Sequence, residues 1–306
     1  MIGQRFVGLS LCEDGLRAVM VRRSRKQTQI IGWQSRSWPS VCLKPDYQRL
    51  NILEEDSFVN TVRETLRSLG IINGRVALSL SDAVGKIVIT DLNEPLKRGR
   101  DGINLLKWQV REHLLLDPEE IRLDFQVLGT EPGGKTRVLV AAAAKEVLDQ
   151  YENLLAAAGA IPALVLFDSL NLMHFYHSKR ILTCDHLLVA WTSTTLSLQL
   201  IGNGQLQACR FRPAPASEKK LYQEVSCTLA KWEQTWPEAA TVPAYLHDLS
   251  RTSIWREGLE GALGRSAQTP PPQLLFLAPG LEDSPSSTSD FYAASGCAER
   301  LFGVLP

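Results

Sequence analysis

The sequence lacks the features that announce most chemistries. No apolar run reaches the roughly 18 residues of a membrane span, and Met1-Ile2-Gly3-Gln4-Arg5 leads into a strand pattern instead of a secretory leader. Both absences point away from a membrane-spanning or exported protein. The six cysteines (Cys12, Cys42, Cys184, Cys209, Cys227, Cys297) are widely spaced, with no Cys-x-x-Cys. That argues against a zinc ribbon and a disulfide framework and suits a reducing cytosol. Net charge is missing too: Lys plus Arg and Asp plus Glu number 33 each, so no global field recruits nucleic acid or a membrane surface. There is no Gly-x-Ser-x-Gly elbow and no His-Glu-x-x-His helix. His174 and His177 share a helical face below Asp168, but no third ligand completes a metal site, and no metal is expected.

What is present is a device used twice. Phe6 to Val21 places apolar residues on both sides of Glu13-Asp14-Gly15, a turn cluster whose glycine readily takes a positive φ. Leu187 to Phe211 is a looser copy, in which Leu196, Leu198 and Leu200 alternate up to Gly202-Asn203-Gly204 and Leu206 and Ala208 follow. Asn-Gly is a strong hairpin signal. At 306 residues and 44% hydrophobic, the chain is long enough for two domains, each with its own core.

Along the first half, Arg22-Arg23-Ser24-Arg25-Lys26 reads as a solvated loop before a strand at Thr28 to Trp38. Asp56 is placed to cap a helix with Phe58, Val62, Leu66 and Leu69 on one face and Gly70 as its stop. A strand at Arg75 to Leu80 completes an order of three strands, helix and strand, which suits one half of an α/β, actin-like (ribonuclease H-like) fold. Residues 81–144 read as an insertion. It contains a strand at Lys86 to Asp91, a helix from Asp101 striped by Ile103, Leu106, Val110 and Leu114, and strands at Glu120 to Leu128 and Thr136 to Ala142. A helix through Leu148, Tyr151 and Leu155 to Gly159, a strand at Pro162 to Phe167 and a helix to Tyr176 close this half.

The second half continues with a helix through Leu221, Val225, Leu229, Trp232 and Trp236, then a strand at Thr241 to Leu246 and a helix at Thr252 to Leu263. A Pro270-Pro271-Pro272 linker, a strand at Gln273 to Ala278, a Ser-rich loop and a helix from Asp290 complete it. The domains expected are 1–178, carrying the insertion, and a reduced 179–306.

One motif competes for attention. Gly129-Thr130-Glu131-Pro132-Gly133-Gly134-Lys135-Thr136 matches a P-loop, with Ala163 to Asp168 as an apolar run ending in an acid. A P-loop binds phosphate only between a buried parallel strand and a helix N-terminus. The strand before it alternates, and Pro-Gly-Gly is turn chemistry, so a hairpin is the preferred reading. Propensity alone would let Arg137 to Ala144 run on as a helix.

Two stretches carry a family resemblance. Gly8-Leu9-Ser10-Leu11-Cys12-Glu13-Asp14-Gly15-Leu16-Arg17 is similar to the phosphate hairpin of the type IV pilus assembly family PilM, roughly Gly-Leu-Asp-Ile-Gly-Ser-Ser-Ser-Ile-Lys. Trp108 to Leu128, with Leu123-Asp124-Phe125-Gln126-Val127-Leu128, resembles that family's Trp-Glu-Ala-Glu helix and Leu-Asp-Tyr-Gln-Val-Leu strand, and Val138 to Glu146 and Leu154 to Gly159 continue the likeness. The resemblance implies an actin-like two-domain fold with its inserted subdomain placed as in the division protein FtsA. It also implies a cytoplasmic scaffold, peripheral at the inner membrane, that serves a type IV pilus or related secretion machine. Its expected partner is the N-terminal cytoplasmic segment of a bitopic inner-membrane protein, with no nucleic acid involved, and self-association is compatible with the same reading.

The nucleotide positions that the family would use are altered. Ser10 and Ala190 stand for two aspartates, Cys12 and Thr192 for glycines, and His247-Asp248 for a glycine pair in Tyr245-Leu246-His247-Asp248. Glu13 and Asp14, before Gly15 and Arg17, bring carboxylates where a triphosphate would lie, and like charges repel. The expectation is a pseudo-ATPase without cofactor. The alternative is a working ATP- and magnesium-binding ATPase, either actin-like or centred on Lys135. Trp108, off the helix stripe, with Leu115 and Leu116 at the helix end, marks a candidate partner face. Trp108 either faces outward or packs on a neighbouring loop.

Overall fold

The computed structural model describes residues 4–24, 27–93, 96, 99–130, 135–249, 255–271 and 288–304. β1 (Arg5–Cys12), β2 (Gly15–Ser24) and β3 (Gln27–Ser37) form an antiparallel meander. β1 is buried from Phe6 to Leu11, as its nearly continuous apolar run requires of a central strand. α1 (Glu55–Ser68) buries Phe58, Val62 and Leu66. Its N-cap is Glu54, with no side-chain cap bond; Asp56 is the second residue of the helix, in the acidic first turn, where it favours the helix dipole instead of capping. Gly70 ends it at φ 75°.

β4 (Gly74–Leu80) then pairs parallel to β1. The insertion follows as β5 (Gly85–Leu92), α2 (Arg100–Leu114), β6 (Ile121–Thr130) and β7 (Thr136–Ala144), with sheet order β5-β7-β6. α2 buries Leu106, Val110 and Leu114. α3 (Lys145–Ala157) leads to β8 (Ala160–Phe167), parallel to β4, and α4 (Asp168–Ser178). The first sheet is thus β3-β2-β1-β4-β8.

The second sheet repeats the plan. β9 (His186–Trp191), β10 (Thr195–Gly202) and β11 (Gln205–Pro213) are antiparallel, α5 (Glu218–Glu233) crosses over, and β12 (Ala244–Asp248) pairs parallel to β9. α6 (Arg256–Leu263) and β13 (Ala267–Gln268) complete the order β11-β10-β9-β12-β13. Asn203 and Gly204 turn β10 into β11 with positive φ at both. The strand expected at Gln273 to Ala278 and the helix start expected at Thr252 lie outside the described residues. Among the described residues no helix is long and apolar enough to cross a membrane.

The chain divides into two compact units. One comprises residues 1–84, 143–181 and 272–306, the other 85–142 and 182–271. The chain passes between them after residues 84, 142, 181 and 271, so the units are not two consecutive halves. α7 (Tyr292–Val304) returns to the first unit and packs on β1, β2 and β4, placing Ala294, Cys297, Ala298 and Leu301 against Phe6, Val19 and Ala77. A Cβ on Gly8 would collide with the Ala294 carbonyl, and one on Gly296 with that of Asn171. The insertion groups with the second unit, where Arg137 of β7 donates to the Gln207 carbonyl of β11 at 2.7 Å and lies 4.9 Å over the Trp236 ring.

Candidate functional site

In the first unit, Cys12 pairs with Gly15, so Glu13 and Asp14 alone form the β1–β2 turn. Gly15 is not among the residues of positive φ. It is glycine for another reason, since a Cβ there would strike the Arg36 carbonyl. Trp38 Nε1 donates to the Cys12 carbonyl at 2.8 Å and stacks on Phe58. The Arg17 guanidinium, 7% exposed, donates to Asp14 at 2.6 Å and lies 3.9 Å from Asp290. The Asp14 charge is therefore held by Arg17 and does not stand alone at the turn, as the sequence had suggested.

Behind the turn lies a polar cluster at the carboxyl ends of parallel strands. The adjacent Ser10 and Ser79 hydroxyls both donate to Asp168 Oδ1, at 3.2 and 2.5 Å, and Asn171 donates to Ser79 at 2.8 Å. Asp82 accepts from the Ser169 hydroxyl at 2.6 Å and its N–H at 3.3 Å, so both acids meet the start of α4, where the helix dipole favours negative charge. Burial pushes the Asp82 carboxyl up to about 7 and Asp168 up to about 6, against the hydroxyls that favour the carboxylates. Burial, reinforced by Asp168, pushes the Cys12 thiol up to about 12, which keeps it protonated and unreactive.

In the second unit the β9–β10 turn closes on itself. Thr192 Oγ1 accepts the Thr194 and Thr195 amides at 3.3 and 3.0 Å, and the Thr192 amide reaches the Thr195 carbonyl at 2.9 Å. Ala190 and His247 are neighbours in the parallel β9–β12 register, and Trp191 and Asp248 follow. His247 is buried, and burial drives its pKa down to about 3, leaving a neutral ring, while Asp248 is exposed.

The P-loop reading fails on its context. Thr136 opens strand β7 where a helix N-terminus is required, and β6 is the neighbour of β7 in the sheet. Strands separated by so short a connection pair as a hairpin, because a parallel crossover takes about a dozen residues. Lys135 is exposed; positions 131–134 lie outside the described residues. His174 and His177 lie on α4, and burial with the charges of Arg300, His177 and Lys179 lowers His174 to about 4. Among the described residues no group of three or more His, Cys, Asp or Glu is placed to hold a metal ion.

On the insertion, Trp108 faces outward at 55% exposure, with the Arg111 guanidinium 4.2 Å over its ring. Leu105 is exposed beside it, and Leu115, in the left-handed region at φ 55°, is exposed where α2 ends; Leu116 is half-buried. Gln109, one turn from Leu105, accepts from Thr90, which puts this apolar stripe on the β5 flank of the helix.

A meander followed by parallel strands, built twice and with an insertion after β4, defines an actin-like fold. The particular architecture it matches is that of a chain in a solved PilM-PilN type IV pilus biogenesis complex: TM-score 0.72 and 18% identity, over 98% of this chain and 99% of that one. A Bacteroides thetaiotaomicron protein with an actin-like ATPase fold is also similar, at TM-score 0.53 and 13% identity over 87% of this chain and 91% of that one. No family model matches the sequence, and no curated protein matches it. At these identities the likeness establishes the fold.

Sequence reasoning missed Ser79, Asp82 and Asn171, and saw Asp168 only as a P-loop accessory or as a neighbour of His174 and His177. The signal available was a serine set into the apolar run near the end of β4, matching the one in β1; Asp82 in a short 3-10 turn and Asn171 inside α4 had no such mark.

Proposed function

We propose that this chain is a cytoplasmic adaptor of a type IV pilus or related secretion machine. In this reading it lies at the inner membrane by binding the N-terminal cytoplasmic segment of a bitopic membrane protein, and it works without ATP. The near full-length likeness to a chain of a PilM-PilN complex supports the first part. The observation that carries partner binding is the outward stripe of Leu105, Trp108 and Leu115 on the insertion. Exposed aromatic and leucine side chains in one patch are characteristic of binding faces, and Trp is enriched among hot spots.

Loss of ATP binding rests on atoms already occupied. Phosphate hairpins bind through free turn amides, and here the Thr192 hydroxyl takes two of them. Ser10 and Ala190 offer no carboxylate for magnesium. An ATP-binding ATPase is the alternative, and one observation favours it: Asp82 and Asp168 lie at the carboxyl ends of parallel strands, where α/β sheets hold ligands. Both acids, however, are engaged by serines.

The test is capture of a bitopic pilus protein from inner-membrane fractions, followed by titration with a peptide of its cytoplasmic segment. Trp108→Ala is expected to weaken that peptide by about 2 kcal/mol, roughly thirtyfold. Equal binding by wild type and variant, or no bitopic protein retained, contradicts the reading.

A further inference from the structure

The inserted sheet has two unlike edges. β5 lies against β11, whereas no strand among the described residues pairs with the outer edge of β6. An open edge is a template for another strand unless proline, charged side chains or a covering element blunt it; β6 contains neither proline nor lysine, and its only charges are Arg122 and Asp124. Its apolar face runs Ile121, Leu123, Phe125, Val127, and exposure along that row rises from 0% at Ile121 to 47% at Val127. The row therefore emerges from under α2 onto the surface. The Phe125 amide donates to the carboxylate of its own neighbour, Asp124, at 2.8 Å. An amide used in this way points out of the sheet, so by alternation the odd-numbered residues of β6 present their backbone groups outward.

We propose that β6 pairs antiparallel with β6 of a second copy about a two-fold axis at Phe125, joining two three-stranded sheets into one of six. The register follows from the residues. With Phe125 opposite Phe125 of the second copy, Leu123 lies opposite Val127 of the second copy, so the exposed apolar row is covered by its own mirror. On pairing, the Phe125 amide exchanges its own Asp124 carboxylate for the Phe125 carbonyl of the second copy, and on the other face the released carboxylate meets Gln126 of the second copy, whose amide donates to it; symmetry makes this contact twice. Outward amides must face outward amides, which forbids slips of an odd number. Moving the axis to Asp124 sets two Asp124 carboxylates against each other, and moving it to Gln126 sets Asp124 against Leu128. Wider slips leave Ile121 or Val127 beyond the paired stretch.

Gln126 is exposed, so its substitution tests the contact without endangering the fold. The experiment is sedimentation equilibrium of the full chain from about 1 µM to about 1 mM, the range suited to a strand-pair contact. Wild type is expected to form a reversible dimer. Gln126→Asp opposes Asp124 of the second copy and should weaken the dimer about tenfold, while Gln126→Lys should tighten it by a similar factor, with the gain shrinking at high salt. A chain that stays monomeric throughout, or a dimer that both variants leave unchanged, overturns the proposal.

Discussion

The two sheets share a strand order and bury different chemistry. At the carboxyl ends of its parallel strands the first encloses Asp82 and Asp168 among serine hydroxyls, whereas the second, at the same place, has Ala190, the Thr192 hydroxyl and a neutral His247. The backbone plan is indifferent to this choice. Apolar strands and crossover helices build both units, so the fold persists when the polar groups at its strand ends change. The units also differ in how they are tied. In the first, Lys179 and Glu299 form a 2.5 Å ion pair with both side chains buried, joined by Thr28 and Ser178, which fastens α7 to β3 and the end of α4. In the second, Arg212 and Glu224 meet at 3.5 Å with both side chains substantially exposed.

The largest effect should come from breaking that contrast. Lys179→Met strands Glu299 as a buried lone charge and should cost about 3–5 kcal/mol in chemical denaturation. Arg212→Ala, in the exposed pair, should cost less than about 1 kcal/mol. Similar losses would show that burial does not distinguish the two ties.

Next comes pH, where the sheets should respond with opposite sign. Asp82 and Asp168 have folded-state pKa values of about 7 and 6 against 3.8 unfolded, so the folded state keeps protons that the unfolded chain releases. Stability of the first sheet therefore falls as pH rises from about 4 to 7, by about 3 kcal/mol through Asp168 and about 4 kcal/mol through Asp82. His247 refuses a proton down to about 3, while the unfolded side chain takes one near 6.5, so the second sheet loses stability as pH falls through that window. Amide exchange, corrected for intrinsic rates, reads each sheet separately, and Asp168→Asn should reduce the first slope to the share of Asp82 while leaving the second unchanged. Slopes of one sign would remove the distinction.

The smallest effect concerns the surface. Because Trp108 is exposed, Trp108→Ala should shift unfolding by less than about 0.5 kcal/mol while it weakens the partner. A large loss of stability would make Trp108 a packing residue.

Much of this architecture is legible in residue order. Alternation and turn chemistry place the hairpins, the insertion helix and the β6 row, and the strand context demotes the P-loop. The site was read less well, because its contacts are long-range. Asp168 meets Ser10 across 158 positions and Ser79 across 89, and no local pattern announces either. Gly15 looks like a positive-φ turn residue, yet it answers to the Arg36 carbonyl on another strand. Gly8 fits a phosphate-hairpin frame, but the space it leaves is filled by α7. Arg137 draws the insertion to β11 through a carbonyl 70 positions away, so the compact units depart from chain order.

The central proposal is that the actin-like fold works here without nucleotide chemistry, and calorimetric titration of the full chain with ATP and magnesium tests it most directly. The account expects no binding heat up to about 1 mM ATP, and no change on Lys135→Ala. Low-micromolar, magnesium-dependent binding that Ser10→Ala or Asp168→Asn abolishes would contradict it.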